Sequence, residues 1–285
     1  MNQVFIGLTR FSVYIPGSAE WILSVKESEY LEKLFDEERL ALKSKIFNSL
    51  SLPILRGMAA NRNYRHIVQY SENLPSKYKK ILLDIEAENS FIYLQLIDSQ
   101  SSRAHQTYNV AIPEILRQYK LSGIIDSEQA YFGFFVLDDD DLISSSYLDR
   151  SAKYVNEHNV GMNISFGRGY TSFYDNDVER FIGFKEVYLP KINIGLMKIC
   201  SYDFSNQKHI IPKSGSHMTL DKFSPVILDS RDANFLWIRS LVQDTVSQKD
   251  DKRSTVVKIL NQYDDAVLSA EHLKDFHLNV SMFSS

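Results

Sequence analysis

Four consecutive aspartates, Asp138 to Asp141, follow the apolar stretch AYFGFFVL that ends at Leu137. Adjacent carboxylates repel one another, so such a run needs either a cation or free solvation. Hard cations such as Mg²⁺ and Mn²⁺ take oxygen ligands, and Mg²⁺ is usually held by one or two carboxylates together with substrate phosphates. If the backbone stays extended, Asp138 and Asp140 share one face and Asp139 and Asp141 the other. An ion held there could bridge two phosphates and act as a Lewis acid. The competing reading is a solvated acidic turn that caps a helix beginning near Ser144, since Asp and Ser are good N-caps.

Other residues could add chemistry. A general base is available by type from Asp175, Asp177, Glu179, Asp229 and Asp232, with Asp175 and Asp232 taken forward as the catalytic candidates. Arg168 sits between Gly167 and Gly169 in FGRGYTS, where the glycines allow close backbone approach to a phosphate or an acceptor; a plain glycine turn is the alternative. Lys213, in KSGSHMT beside His217, could reach a phosphate oxygen as a point charge; the alternative is a surface lysine. His66, His105, His158, His209, His272 and His277 form no HxH or HExxH spacing, and there is no GxGxxG, Walker or GxSxG pattern, which argues against zinc hydrolases, classical phosphate loops and serine hydrolases. Lys77, Lys79 and Lys80 with Tyr78 form a small basic patch that reads first as a solvated helix face and second as a contact for an anionic membrane or a lipid-diphosphate acceptor.

The elements that would carry these residues alternate. Val4–Tyr14 reads as a first strand, followed by helical stretches from about Ser18 to Phe35 and from Glu37 to Leu50, the latter punctuated by Pro53. His66–Ser71 and Ser90–Ile97 read as strands, Ser76–Leu83 as a helix, Ser99–Gln106 as a loop and Ile112–Tyr119 as a helix. Ala130–Leu137 is apolar on both faces, as a central covered strand would be. Beyond the aspartates the pattern predicts a helix over Leu148–Val155 and strands over Val160–Phe166, Lys185–Leu189 and Lys191–Ile199. It also predicts a loop over Gly167–Asp177 and helices over Ala233–Val246 and Thr255–Leu278. Strand–helix alternation implies an α/β fold with a mostly parallel sheet and right-handed crossovers, whose ligands bind beyond the carboxyl ends of the strands. The expected division is an α/β domain over residues 1–248 with a helical extension over 249–285.

The chain has 285 residues, a formal net charge of −4, and 17 Phe and 16 Tyr. This composition suits a large globular core and lacks the basic stripe of a nucleic-acid binder, so no nucleic-acid partner is expected. The single cysteine, Cys200, cannot pair internally, which suits a reducing compartment. Its apolar surroundings predict a buried thiol. The N-terminal stretch reads as a strand rather than a leader, and no segment reaches the length of a membrane span. The expectation is a cytoplasmic protein, with peripheral contact at the inner face of a membrane left open.

Several segments together resemble the bacterial rhamnosyltransferase family, glycosyltransferases with a GT-A-like fold. They are FIGLTRFS (5–12), SLPIL (51–55), YSENLP (70–75), LDDDDL (137–142), ISFGRGY (164–170) and NIGLM (193–197), in the family's order. The resemblance implies a Rossmann-type, GT-A-like sheet, a nucleotide-sugar donor, a glycan or lipid-linked glycan acceptor, a role in capsule or O-antigen synthesis, and Mn²⁺ or Mg²⁺ as cofactor. Carried onto this chain, it implies donor contacts from Thr9, Arg10, Ser71, Asp138 and Asp139, with Asp98 added by its position at a strand end and Arg168 and Lys213 by their chemistry. It implies metal ligation by Asp138, Asp140 and Asp141, with His217 as a late extra ligand. Where the family is expected to carry a basic residue before the leucine of the acidic motif, this chain has Val136, which moves a phosphate contact to some other residue. Two other readings stay open: a metal-dependent phosphohydrolase or nucleotidyltransferase using the same carboxylates, and a non-catalytic Ca²⁺-binding interaction module.

Overall fold

In a computed structural model that describes residues 3–14, 27–98, 102–213, 215–243 and 251–284, the stretch preceding the aspartates is an interior strand. The strands in chain order are β1 (Val4–Arg10), β2 (Asn63–Ser71), β3 (Ile92–Ile97), β4 (Gln129–Val136), β5 (Leu142–Ile143), β6 (Asn163–Ser165), β7 (Arg168–Asp175), β8 (Arg180–Tyr188), β9 (Met197–Asp203), β10 (Lys208–Ile210), β11 (Val226–Leu228) and β12 (Phe235–Arg239). The larger sheet has eight strands in the order β11-β6-β9-β4-β1-β2-β3, with β10 also paired to β9. Strands β3, β2, β1 and β4 run parallel, and β9 enters antiparallel beside β4. The α/β class, with a mostly parallel sheet flanked by helices, is therefore as expected.

Both faces of the sheet are apolar. On β1, Val4, Ile6 and Leu8 pack into one cluster while Phe5 packs into the other. On β4, Phe132 and Phe134 face the first cluster and Phe135 the second. A strand alternates its side chains, so a run apolar at nearly every position fits only where both faces are covered.

Helices Glu37–Ile46 and Leu52–Asn61 are joined by a π-helical turn over Phe47–Ser51, so the helix does not stop at Pro53. The segment expected as a loop before residue 106 is a short helical turn, Arg103–His105, running into a second π turn, Gln106–Ala111, ahead of helix Ile112–Leu121 and Pro113. Proline lacks a backbone donor and its ring collides with the carbonyl four residues back. In both places the widened turn immediately before it relieves that conflict. The helix expected from Ser18 falls on residues 15–26, outside the described residues, and is described only over Glu27–Leu34.

A second sheet has the order β5-β12-β7-β8 and corrects two expectations. The polar stretch 167–177 is strand β7 rather than a loop, and 233–243 contains strand β12 rather than a helix. β7 mixes Gly169, Thr171 and Ser172 with three aromatic residues, and its two hydroxyl side chains are buried and bonded. Thr171 Oγ1 donates to the Trp237 carbonyl at 2.8 Å and Ser172 Oγ to the Ile182 carbonyl at 3.3 Å. Pairing with β8 and β12, not local hydropathy, makes this segment a strand. The expected C-terminal helix is two pieces, Lys252–Leu260 and Ala270–Lys274. Leu273, Phe276, Leu278 and Phe283 pack into the main core. Among the described residues no helix is long and apolar enough to cross a membrane.

Candidate active site

β4 ends at Val136, and the aspartates form a turn in which the Asp141 amide donates to the Asp138 carbonyl at 3.3 Å. The run is therefore not extended, and the two-face division expected for it does not hold. Thr9 fixes the start of the turn from β1. Its fully buried hydroxyl donates to the Leu137 carbonyl at 2.9 Å and accepts from His66 Nε2 at 2.9 Å. The Tyr64 hydroxyl in turn donates to His66 Nδ1. Thr9 thus positions the aspartates, with its hydroxyl already engaged on both sides.

Burial drives His66 down to about 3 from the ordinary 6.5. The unfolded chain then takes up a proton near pH 6.5 while the folded chain does not until about 3. Stability is full above that upper value and falls as the pH is lowered through the window, by up to ~1.4 kcal/mol per pH unit. Buried carboxylates raised above their usual range act in the opposite direction, so the prediction is a difference between proteins. Between pH 7 and pH 5 the wild type should lose about 2 kcal/mol more stability than His66→Gln, measured by urea unfolding. Parallel losses in the two proteins would refute it.

Each aspartate is engaged differently. Asp138, the most exposed, accepts from Arg10 Nη2 at 2.9 Å. Asp139 is 2 % exposed and is ion-paired with Lys43. Asp140 lies 3.5 Å from the same ammonium. Asp141 is 4 % exposed, accepts from the Ile238 amide of β12 at 3.1 Å, and has its carbonyl bonded by Ser51 Oγ at 3.3 Å. Burial raises Asp139 above the usual carboxylate range and raises Asp141 well above it, with the neighbouring Asp140 charge adding to both. The Arg239 guanidinium, stacked 3.2 Å over the Trp237 ring, opposes the rise at Asp141.

Lys43 was not singled out from the sequence. It had a signal: it lies three residues after Leu40 and four before Phe47, on the apolar face of its helix.

A pocket of about 860 Å³ opens at the carboxyl ends of β1, β2 and β4. Its apolar wall includes Leu8, Phe134, Phe135 and Val136, and its polar wall includes Arg10, Arg103, Tyr108, Lys198 and His217. Among the described residues its lining contains no carboxylate. Lys198 Nζ donates to Tyr108 Oη at 3.0 Å, and burial lowers the Lys198 pKa. Arg103 and Lys198 supply positive charge in a wall where Val136 is apolar. Neither stood out in sequence, because one lies in a polar connecting segment and the other alternates within a strand.

Of the sequence-predicted residues, Arg10 and His217 line this pocket, and Asp138 joins it through Arg10. His217 Nδ1 donates to the Lys191 carbonyl, 2.9 Å away. Ser71 is buried, its hydroxyl accepting from the Tyr14 amide at 2.5 Å. Asp98 directly follows β3, its backbone clamped by the Gln106 side chain at 3.0 and 2.8 Å. Lys213 is exposed, and its carbonyl accepts from Ser224 Oγ at 3.2 Å.

Arg168 and Asp232 come together elsewhere, in a pocket of about 240 Å³ with Arg150, Tyr170, His272 and Asp275. Arg168 is held by Glu186 at 2.6 Å, and Asp232 lies 3.7 Å from Arg150. Asp175 is 1 % exposed at the opposite end of β7 and is paired with Arg253 at 2.5 Å. Asp229, also weighed as a base, is held well below the usual carboxylate range, first by Arg231 and also by Tyr154 and Lys153.

The proposed metal set of Asp138, Asp140, Asp141 and His217 is not gathered into one group. Among the described residues, no three or more His, Cys, Asp or Glu side chains converge so as to hold an ion. Asp139 and Asp141 are enclosed, and Asp138, Asp139 and Asp140 each already meet a protein cation. As placed, the residues do not fit a divalent ion.

No protein of curated function matches the chain. Two solved structures align over most of it. The first is S. aureus TarS, residues 1–349, at 13 % identity and a TM-score of 0.38, covering 95 % of this chain and 68 % of that one. The second is the inositol-1-phosphate CTP transferase from T. maritima, at 11 % identity and a TM-score of 0.28, covering 93 % and 99 %. Neither likeness is close enough to carry an argument. The sequence profile of the family described as "Putative rhamnosyl transferase" matches residues 4–254, which spans the main sheet, the aspartate turn and the large pocket. The chain belongs to this rhamnosyl transferase family and is a glycosyltransferase.

Proposed function

We propose that the chain transfers a sugar from a nucleoside-diphosphate donor to a glycan acceptor, as a step in surface-polysaccharide synthesis. The observation that carries this reading is the large pocket beyond the strand ends, with Arg10, Arg103 and Lys198 in its walls beside apolar and aromatic side chains. Apolar and aromatic side chains suit a nucleobase and ribose, and cationic ones suit a diphosphate. Open α/β sheets bind ligands at this edge.

In the reaction, a bond forms between the acceptor oxygen and the anomeric carbon of the sugar. The bond from that carbon to the terminal phosphate oxygen breaks, and its electron pair leaves on the nucleoside diphosphate. The acceptor proton passes to a base. Of the two candidates for that base, Asp232 has a 61 % exposed side chain but opens on the smaller pocket rather than on the donor pocket. Asp175 is buried against Arg253 and has no open face toward an acceptor.

A thermal-shift panel of UDP, GDP, dTDP and CMP sugars tests the donor assignment. One of the three nucleoside-diphosphate classes should raise the melting temperature well above the rest, as expected for a ligand that binds only the folded state, with the monophosphate CMP sugars as the contrast. A flat response across the whole panel would overturn the reading.

A further inference from the structure

The aspartate turn contains its own cation. Lys43 projects from helix Glu37–Ile46 into the turn, and its ammonium contacts Asp139 and lies 3.5 Å from Asp140. It therefore bridges two neighbouring carboxylates, which is the contact a divalent ion would otherwise make. The same helical segment continues into the π turn whose Ser51 hydroxyl bonds the Asp141 carbonyl at 3.3 Å. Arg10 occupies Asp138, and the Ile238 amide occupies Asp141. Asp139, Asp140 and Asp141 are all buried, and none of them lines the pocket.

The second half of a metal's work is to neutralise the diphosphate. Mg²⁺ commonly does so by sharing substrate phosphate oxygens with one or two carboxylates. In this chain the pocket walls already carry Arg10, Arg103 and Lys198. Guanidinium groups pair with phosphate oxygens in bidentate fashion, and an ammonium acts as a point charge. Arg103 and Lys198 add positive charge to that wall, while Arg10 shares its charge with Asp138. A bound anion also favours the charged form of Lys198, whose burial alone works against it.

We propose that this transferase binds its nucleoside-diphosphate donor without a divalent ion, Lys43 standing between Asp139 and Asp140 where an ion would sit and Arg103 and Lys198 meeting the diphosphate. This rests on the reading of the large pocket as the donor site.

The test is calorimetric titration of the full chain with UDP, GDP and dTDP, once in EDTA and once in Mn²⁺. For the nucleotide that binds, the Kd in EDTA should lie within about threefold of the Kd in Mn²⁺, because no ion bridges ligand to protein. Binding that appears only in Mn²⁺ would overturn the inference and leave the transferase reading intact. Absence of binding under both conditions would overturn both. Lys43→Ala gives a second arm that needs no nucleotide. Removing the ammonium vacates the contact between Asp139 and Asp140, so Mn²⁺ should raise the melting temperature of this variant and leave that of the wild type unmoved. A wild type stabilised by Mn²⁺ as strongly as the variant would also overturn the proposal.

Discussion

Replacing Lys43 with methionine should destabilise the fold by ~3–5 kcal/mol, the cost of stripping one partner from a buried ion pair. The side chain is 9 % exposed and faces that of Asp139, which is 2 % exposed, with Asp140 close by. Loss of the ammonium leaves a buried carboxylate without its direct ion-pair partner, with only the Arg39 charge still opposing its desolvation. Urea unfolding should show a lower midpoint with an unchanged slope, which marks a stability change rather than a change in compactness. Adding Asp139→Asn should recover a large part of the loss, because the orphaned charge is then gone. A Lys43→Met protein as stable as the wild type would show that the ammonium is not the partner of the turn.

The second large effect concerns the pocket. The double variant Arg103→Ala with Lys198→Ala should weaken binding of the preferred nucleoside diphosphate by roughly 10²–10⁴-fold, since each hydrogen bond to a charged group is worth ~1.5–3 kcal/mol. Calorimetric titration reads this directly. Lys198 also donates to the Tyr108 hydroxyl at 3.0 Å, so the variant's melting curve must be recorded beside its affinity. Unchanged affinity in a folded double variant would remove these two residues from donor binding.

Much of the larger sheet was legible because its code is local. A strand buried on both faces is apolar at nearly every position, and AYFGFFVL becomes β4 between β1 and β9. The second sheet was not legible. β7 looks polar in isolation, and its Thr171 and Ser172 are satisfied only by carbonyls brought in from Trp237 and Ile182. β12 carries an apolar sequence that reads equally well as a helix until β5 and β7 flank it.

The aspartate run was found, but its geometry was not. The strand stops at Val136, and a turn redistributes the carboxylates among partners from distant elements. Lys43 stands 96 residues from Asp139 along the chain, and no spacing rule links the two. The helical periodicity of Lys43 could still have flagged it, since a lysine on an apolar helix face calls for a buried counter-charge. Thr9 and Arg10 were read as donor contacts from their place at a strand end. Thr9 instead anchors Leu137, while Arg10 lines the pocket and holds Asp138.

The most direct test of the central claim is to follow the phosphorus products when the protein is incubated with a panel of nucleoside-diphosphate sugars and a glycan acceptor, by ³¹P NMR. The account predicts that one donor yields intact nucleoside diphosphate, at a rate that rises with acceptor concentration. Release of orthophosphate, or of pyrophosphate with a nucleoside monophosphate, independent of any acceptor would contradict it.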